Sequence, residues 1–123
     1  MEGARLGVFQ GNAQENVSAY LVPQECGNRV GVRWLKVTDE IGQGLMFAGE
    51  GQTFESSVLP YSAYELENAS HQEELPKAYY TWVRILAKQM GVGGDDSWGA
   101  PVHEKYRIPS DENLEIAFCI SKI

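Results

Sequence analysis

The sequence predicts an all-β chain, an antiparallel β-sandwich with one short helix. Three observations predict it. Leu114, Ile116, Phe118 and Ile120 alternate with Glu115, Ala117, Cys119 and Ser121, the period of a half-buried strand. Other short apolar runs, such as Leu45-Met46-Phe47-Ala48, are bounded by glycine and aspartate turn signals. Only one segment carries a clear helix start, where Ser62 and Glu65 stand at capping-box spacing. Hairpins around a single helix suit packed antiparallel sheets.

In chain order, Leu6, Val8 and Phe9 suggest a short strand, with Gly11-Asn12 as a turn. Ser18 to Val22 reads as a second strand that Pro23 ends, and Gln24 to Asn28 as a turn. Val30, Val32 and Trp34 alternate with Gly31 and Arg33, but Leu35 and Val37 fall on the opposite parity. Either both faces are covered there or a bulge shifts the register. Thr38 to Gly44 is a hairpin connection, and Leu45 to Ala48 a buried strand. Gly49-Glu50-Gly51 turns the chain into a strand over Thr53 to Leu59. Ser62 to Leu75 is the helix, stapled by Tyr61 and Leu66 and stopped by Pro76. His71 within it reads as a surface or packing residue.

Tyr79 to Met90 fits two patterns. Leu75, Tyr79, Trp82, Val83, Leu86 and Met90 make a helical face, whereas the aromatic and β-branched content suits a strand. Glu104 to Ile108 is expected to be a strand, Pro109 to Asn113 a turn, and Leu114 to Ile120 the last strand. Trp34 and Trp82 lie in strand patterns and are expected in the core.

The 123 residues suggest one domain. A chain of this size buries roughly two-thirds of its unfolded surface. The net charge of −7, with no Lys/Arg cluster, argues against nucleic acid as a partner. No apolar run reaches the ~20 residues of a membrane span, and no signal peptide is visible. The compartment stays open. Cys26 lies in a turn and Cys119 in a strand pattern, where it reads as a small buried hydrophobe. Free thiols are expected, and Cys-x-x-Cys spacing for zinc is absent.

The stretch Met90-Gly91-Val92-Gly93-Gly94-Asp95-Asp96-Ser97-Trp98-Gly99 fits no helix or strand interior. Its glycines and aspartates predict a loop. Trp98 is then either a lid folded over the core or a flat apolar platform for a sugar ring. Asp95 and Asp96 are adjacent, so their side chains diverge and poorly suit the flanking carboxyl pair of a glycosidase. They read as loop-shaping residues, accepting backbone N–H groups or pairing with Arg29 or Arg33. Asp95, Asp96, His103 and Glu104 offer hard ligands, but their spacing matches no defined metal loop. Ser97 has no His and Asp arranged as a triad.

That loop stretch resembles a signature near the C-terminus of the large β-galactosidases of glycoside hydrolase family 2. The resemblance runs along most of the chain. It includes Gly3-Ala4-Arg5-Leu6-Gly7, Val22-Pro23-Gln24-Glu25, Gly27-Asn28-Arg29, Val32-Arg33-Trp34-Leu35, Leu59-Pro60-Tyr61-Ser62 and Glu65-Leu66-Glu67-Asn68-Ala69. The chain departs from the pattern at Cys26, where the family has Asn. The resemblance implies the C-terminal part of the last β-sandwich domain, a portion of a galactose-mutarotase-like supersandwich. Residues 1–123 would then be a single partial domain, and 79–90 a strand.

It also implies that the catalytic glutamates lie in a TIM-barrel domain that no segment here matches. No catalytic role is therefore assigned to any residue of this chain. What carries over is Trp98, which in the family reaches into the active-site pocket and stacks on the sugar. Gly93 and Gly94 would let the loop approach the barrel, and Asp95 and Asp96 would hold its shape. The family's magnesium and sodium sit in other domains, so no metal or other cofactor is expected in this fragment. The implied partners are a β-galactoside and the remaining domains of the enzyme, with no nucleic acid or membrane. A truncated sandwich would also expose strand edges that favour homo-oligomers. Two other readings are a non-catalytic carbohydrate-binding module and a purely structural sandwich.

Overall fold

The structure is a computed structural model that describes residues 5–90 and 99–123. The all-β expectation holds: mostly antiparallel strands form two sheets, with one short helix. The strands are β1 (Arg29–Val32), β2 (Trp34–Thr38), β3 (Gly44–Gly49), β4 (Phe54–Leu59), β5 (Trp82–Leu86) and β6 (Phe118–Lys122), and the helix is α1 (Ala63–Asn68). One sheet has the order β1-β4-β5 and the other β2-β3-β6. Among the described residues no helix is long and apolar enough to cross a membrane. The chain divides into two compact units, one built on Val30–Glu55 with Leu86–Ile123, the other on Arg5–Arg29 with Ser56–Ile85.

The parity change at Trp34–Leu35 has a simple cause. The chain bends at Arg33, so β1 and β2 are separate strands of different sheets. Gly31 just before it holds φ at +64°, a region that favours glycine.

In the first unit, β3 is the middle strand, antiparallel to both neighbours, with Leu35 opposite Phe47 and Phe47 opposite Ile120. Asp39 shapes the β2–β3 turn, its Oδ1 accepting from the backbone N–H of Ile41 at 3.0 Å and of Gln43 at 2.9 Å. Phe47 and Phe54 are buried, and the Phe118 ring lies 6.4 Å from each in a tilted geometry. Gly49 faces Phe118 across the ladder. A Cβ there would collide with the Gln52 carbonyl, so only glycine lets the chain double back under the rings.

Trp34 and Trp82 are both 44% exposed, which corrects the expectation that they are core. The Trp34 ring instead sits under the Lys36 ammonium, 5.8 Å away. Cys119 is also exposed, not buried. It donates from Sγ to Glu50 Oε1 at 2.6 Å. That hydrogen bond to a carboxylate raises the thiol above its ordinary value of 9.0. The folded state thus favours the protonated thiol. Its contribution is intact below the ordinary thiol value and fades as pH rises through the raised one. Glu50→Gln should therefore speed iodoacetamide alkylation of Cys119 at pH 8 by about threefold or more. Peptide mass spectrometry reads this with Cys26 as the internal reference, and an unchanged rate would refute the Glu50 contact.

In the second unit, Leu59, Leu66 and Ala69 are buried. The capping box forms as expected: Glu65 N–H donates to Ser62 Oγ at 3.1 Å and Ser62 N–H to Glu65 Oε2 at 2.7 Å. The helix is much shorter than the expected Ser62–Leu75. It ends at Asn68, whose side-chain amide donates back to the Tyr64 carbonyl at 2.8 Å. Such side-chain bonding competes with the helical ladder. Ala69 is already extended, and a separate 3-10 turn, Gln72–Glu74, follows.

The expected strand over Ser18 to Val22 does not form. The Ser18 and Tyr20 carbonyls are taken by the Gln72 side chain at 3.2 and 2.8 Å, and Pro23 lacks a donor. Leu6, Val8 and Phe9 are not a strand either and lie exposed. Glu104 to Ile108, also expected extended, starts with a 3-10 turn closed by Tyr106 N–H on the His103 carbonyl. Tyr79 to Met90 is a strand only over β5, and the Leu114–Ile120 alternation pairs only from Phe118 onward.

Cys26, the departure noted above, has a clear task. Its Sγ accepts from Ser18 N–H at 3.2 Å and lies 3.3 Å from the Asn16 carbonyl, to which it donates. Asn16 Nδ2 in turn donates to the Val58 carbonyl at 3.0 Å. A thiol both donates and accepts, and so does an asparagine amide. Cys26→Asn should therefore leave the urea midpoint nearly unchanged, while Cys26→Ala should cost about 1 kcal/mol. Equal losses for both variants would show that packing, not hydrogen bonding, matters here.

Candidate functional site

Trp98 and the loop-shaping residues Gly93, Gly94, Asp95 and Asp96 lie outside the described residues. What the structure does describe is how the chain on either side of this loop is anchored. On the entry side, β5 ends at Leu86, and Gln89 N–H donates to Glu55 Oε2 at 3.0 Å. On the exit side, Arg107 Nε donates to the Val102 carbonyl at 2.6 Å. Lys88 Nζ then reaches the Arg107 carbonyl at 3.4 Å. The segments before and after residues 91–98 are thus linked by a lysine of one and a carbonyl of the other.

Local packing stiffens the exit stem. His103 and Tyr106 stack with ring centroids 6.5 Å apart and planes 14° apart. The Lys105 ammonium lies 4.6 Å from the Tyr106 ring centroid. The turn between them exists because three residues, Glu104–Tyr106, close one 3-10 turn between extended neighbours. Sequence reasoning missed this region, reading it as a strand.

An open cleft of about 610 Å³ lies beside the tied stems. Lys88, Glu104, Arg107, Ile108 and Asp111 are among its walls. Cations and carboxylates line it together with an apolar Ile108-Pro109 edge, so it offers hydrogen-bond donors and acceptors without a strong charge bias. Among the described residues, no three His, Cys, Asp or Glu side chains come together to hold a metal ion. The two cysteines are free. Arg29, one of the expected partners of the aspartates, donates to Asn16 Oδ1 at 3.2 Å.

Two sheets of mostly antiparallel strands and one capped helix define an all-β module. Comparison with known proteins gives the particular family. The model of the β-galactosidase small chain matches residues 1–120, and the chain belongs to that family. A β-galactosidase of Halalkalibacterium halodurans is 49% identical over 121 residues, which cover 98% of this chain but 12% of that protein. A Bifidobacterium adolescentis β-galactosidase is 50% identical over 115 residues, 92% of this chain and 11% of the relative. A β-galactosidase small subunit of Latilactobacillus sakei is 38% identical over 115 residues, covering 85% of this chain and 36% of that protein. The chain thus spans about an eighth of the large relatives it matches.

Proposed function

We propose that this chain is the C-terminal part of a β-galactosidase, an enzyme that hydrolyses terminal non-reducing β-D-galactose residues of β-galactosides. The match of the small-chain model to residues 1–120 carries this reading. Most of the enzyme, including the carboxyl pair that breaks the glycosidic bond, lies outside this chain in that reading. The remaining domains, as one chain or as a large subunit, are its partners. Magnesium and sodium act elsewhere in the enzyme, and the fragment carries no cofactor of its own. Alone, it is inactive.

The contribution of this chain is positional. Trp98 supplies a flat apolar face for the C–H side of the galactose ring. Gly93 and Gly94 permit close approach to the barrel, and Asp95 and Asp96 hold the turn. The Lys88–Arg107 hydrogen bond supports this reading, because it links the segments that flank residues 91–98.

The test is twofold. The isolated chain should release no product from a chromogenic galactoside at high protein concentration. Its tryptophan fluorescence should not respond to galactose or lactose. Robust turnover would refute the missing-catalyst reading. A saturable fluorescence change lost in Trp98→Ala would replace the proposal with an autonomous carbohydrate-binding module.

A further inference from the structure

The chain that leads into residues 91–98 is held by a carboxylate. Glu55 stands on β4, the middle strand of the sheet β1-β4-β5. Its neighbours Phe54 and Ser56 are buried, on the opposite face of the strand, while Glu55 is half-buried. A side chain on a strand paired at both edges starts from a fixed backbone. Strand β5 ends at Leu86, and three residues on the Gln89 N–H donates to Glu55 Oε2 at 3.0 Å. The two residues are 34 apart in sequence, so the bond is a tertiary contact and not part of a local turn. Only Met90 stands between Gln89 and residue 91. The other anchor, Lys88 Nζ on the Arg107 carbonyl, is exposed and longer, at 3.4 Å.

We propose that Glu55 is a positioning residue for sugar binding. Its carboxylate holds the Gln89 backbone, and with it the direction in which the chain sets out toward Trp98. The inference rests on the reading given under Proposed function, in which Trp98 meets the sugar, and adds a residue that acts through it. Two observations favour this role over that of a solubilising surface charge. A solubilising carboxylate would stand in water, whereas the Glu55–Gln89 bond is part-buried. Its partner is a main-chain N–H, so the bond constrains the backbone itself and not a neighbouring side chain. A carboxylate accepting from a backbone N–H makes a bond about twice as strong as a neutral one. Small displacements of a contact residue weaken its hold on a substrate even when their source is remote. Glu55 should therefore matter more to sugar binding than Lys88, whose bond is solvent-exposed and reached by a long side chain.

The experiment measures kcat and KM for a galactoside in the full-length enzyme. The variants are Glu55→Ala, Glu55→Gln, Trp98→Ala and the Glu55→Ala/Trp98→Ala double variant. Glu55→Ala should raise KM about threefold or more, with kcat within about twofold of the parent. Glu55→Gln keeps a side-chain oxygen to accept from the Gln89 N–H and should recover most of the loss. With the indole gone there is nothing left to position, so Glu55→Ala should change KM by less than about 1.5-fold in the Trp98→Ala background. Amide exchange in the peptide that contains Gln89 should be faster in Glu55→Ala and near the parent rate in Glu55→Gln. An unchanged KM in Glu55→Ala, where Trp98→Ala weakens binding, would overturn the inference and leave the functional reading standing. An equal loss with and without the indole, or a Glu55→Ala enzyme that does not fold, would assign Glu55 to general stability and overturn it too. Trp98→Ala with unchanged kcat/KM would remove the functional reading, and the inference with it.

Discussion

Phe54→Ala should cost this chain about 3–5 kcal/mol of stability, the range for emptying a buried aromatic site. Phe54 is 1% exposed, and its ring is one of three that meet above Gly49. Removing it leaves Phe118 with a partner on one side only. The site cannot readily collapse, because Gly49 offers no side chain and its backbone lies against Gln52. Few other side chains share the load: among the described residues the buried hydrophobic set is Phe47, Phe54, Leu59, Leu66 and Ala69. Domains are stable by only about 5–15 kcal/mol, so the variant should be largely unfolded in modest urea. Phe54→Leu, which keeps most of the volume, should cost less than about half as much. Urea titration followed by circular dichroism measures both. A Phe54→Ala loss below about 1 kcal/mol would mean that the three rings do not form the core of this unit. Phe118→Ala should be non-additive with Phe54→Ala, because the two rings are in contact.

What was legible in the sequence was mainly local. The Ser62–Glu65 capping box needs only residues three apart, and it forms as read. Strand β3 follows from a short apolar run between turn signals, and β4 from the return of the chain after Gly49-Glu50-Gly51. The parity flip at Trp34–Leu35 was visible too, though its meaning was a change of sheet and not a bulge. The misses share a cause: a backbone group satisfied by something other than a ladder. Asn68 ends its own helix early by bonding to the Tyr64 carbonyl, so the stop signal at Pro76 misleads about where the helix ends. Ser18 and Tyr20 look like strand residues, but Gln72, far along the chain, takes their carbonyls.

Burial was the hardest property to read. Trp34 and Trp82 have core character yet remain half-exposed, because alternation reports which face a residue is on and not whether that face is covered. The same holds for the site. The composition of residues 90–99 was legible, but those that carry the expected site, 91–98, lie outside the described residues. The Lys88–Arg107 tie was not, since a lysine donating to a backbone carbonyl leaves no mark on sequence pattern. The family assignment came from motif order along the chain, and it extends over residues 1–120.

Trp98→Ala in the full-length enzyme should lower kcat/KM for a galactoside by about tenfold or more, about 1.4 kcal/mol of lost transition-state binding. In the proposed role the indole would give the sugar a broad apolar face, and alanine would leave water in its place. A platform that touches the sugar in both ground and transition states should act mostly through KM. Trp98→Phe retains a smaller flat face and should recover part of the loss, which a change in folding alone would not predict. Lys88→Ala should give a milder version of the same defect, because the loop keeps its indole but loses the tie between its stems. Measuring kcat and KM for the three variants separates these cases. A Trp98→Ala enzyme with unchanged kcat/KM would leave the loop a purely structural part, and the sugar would then be gripped entirely by other domains.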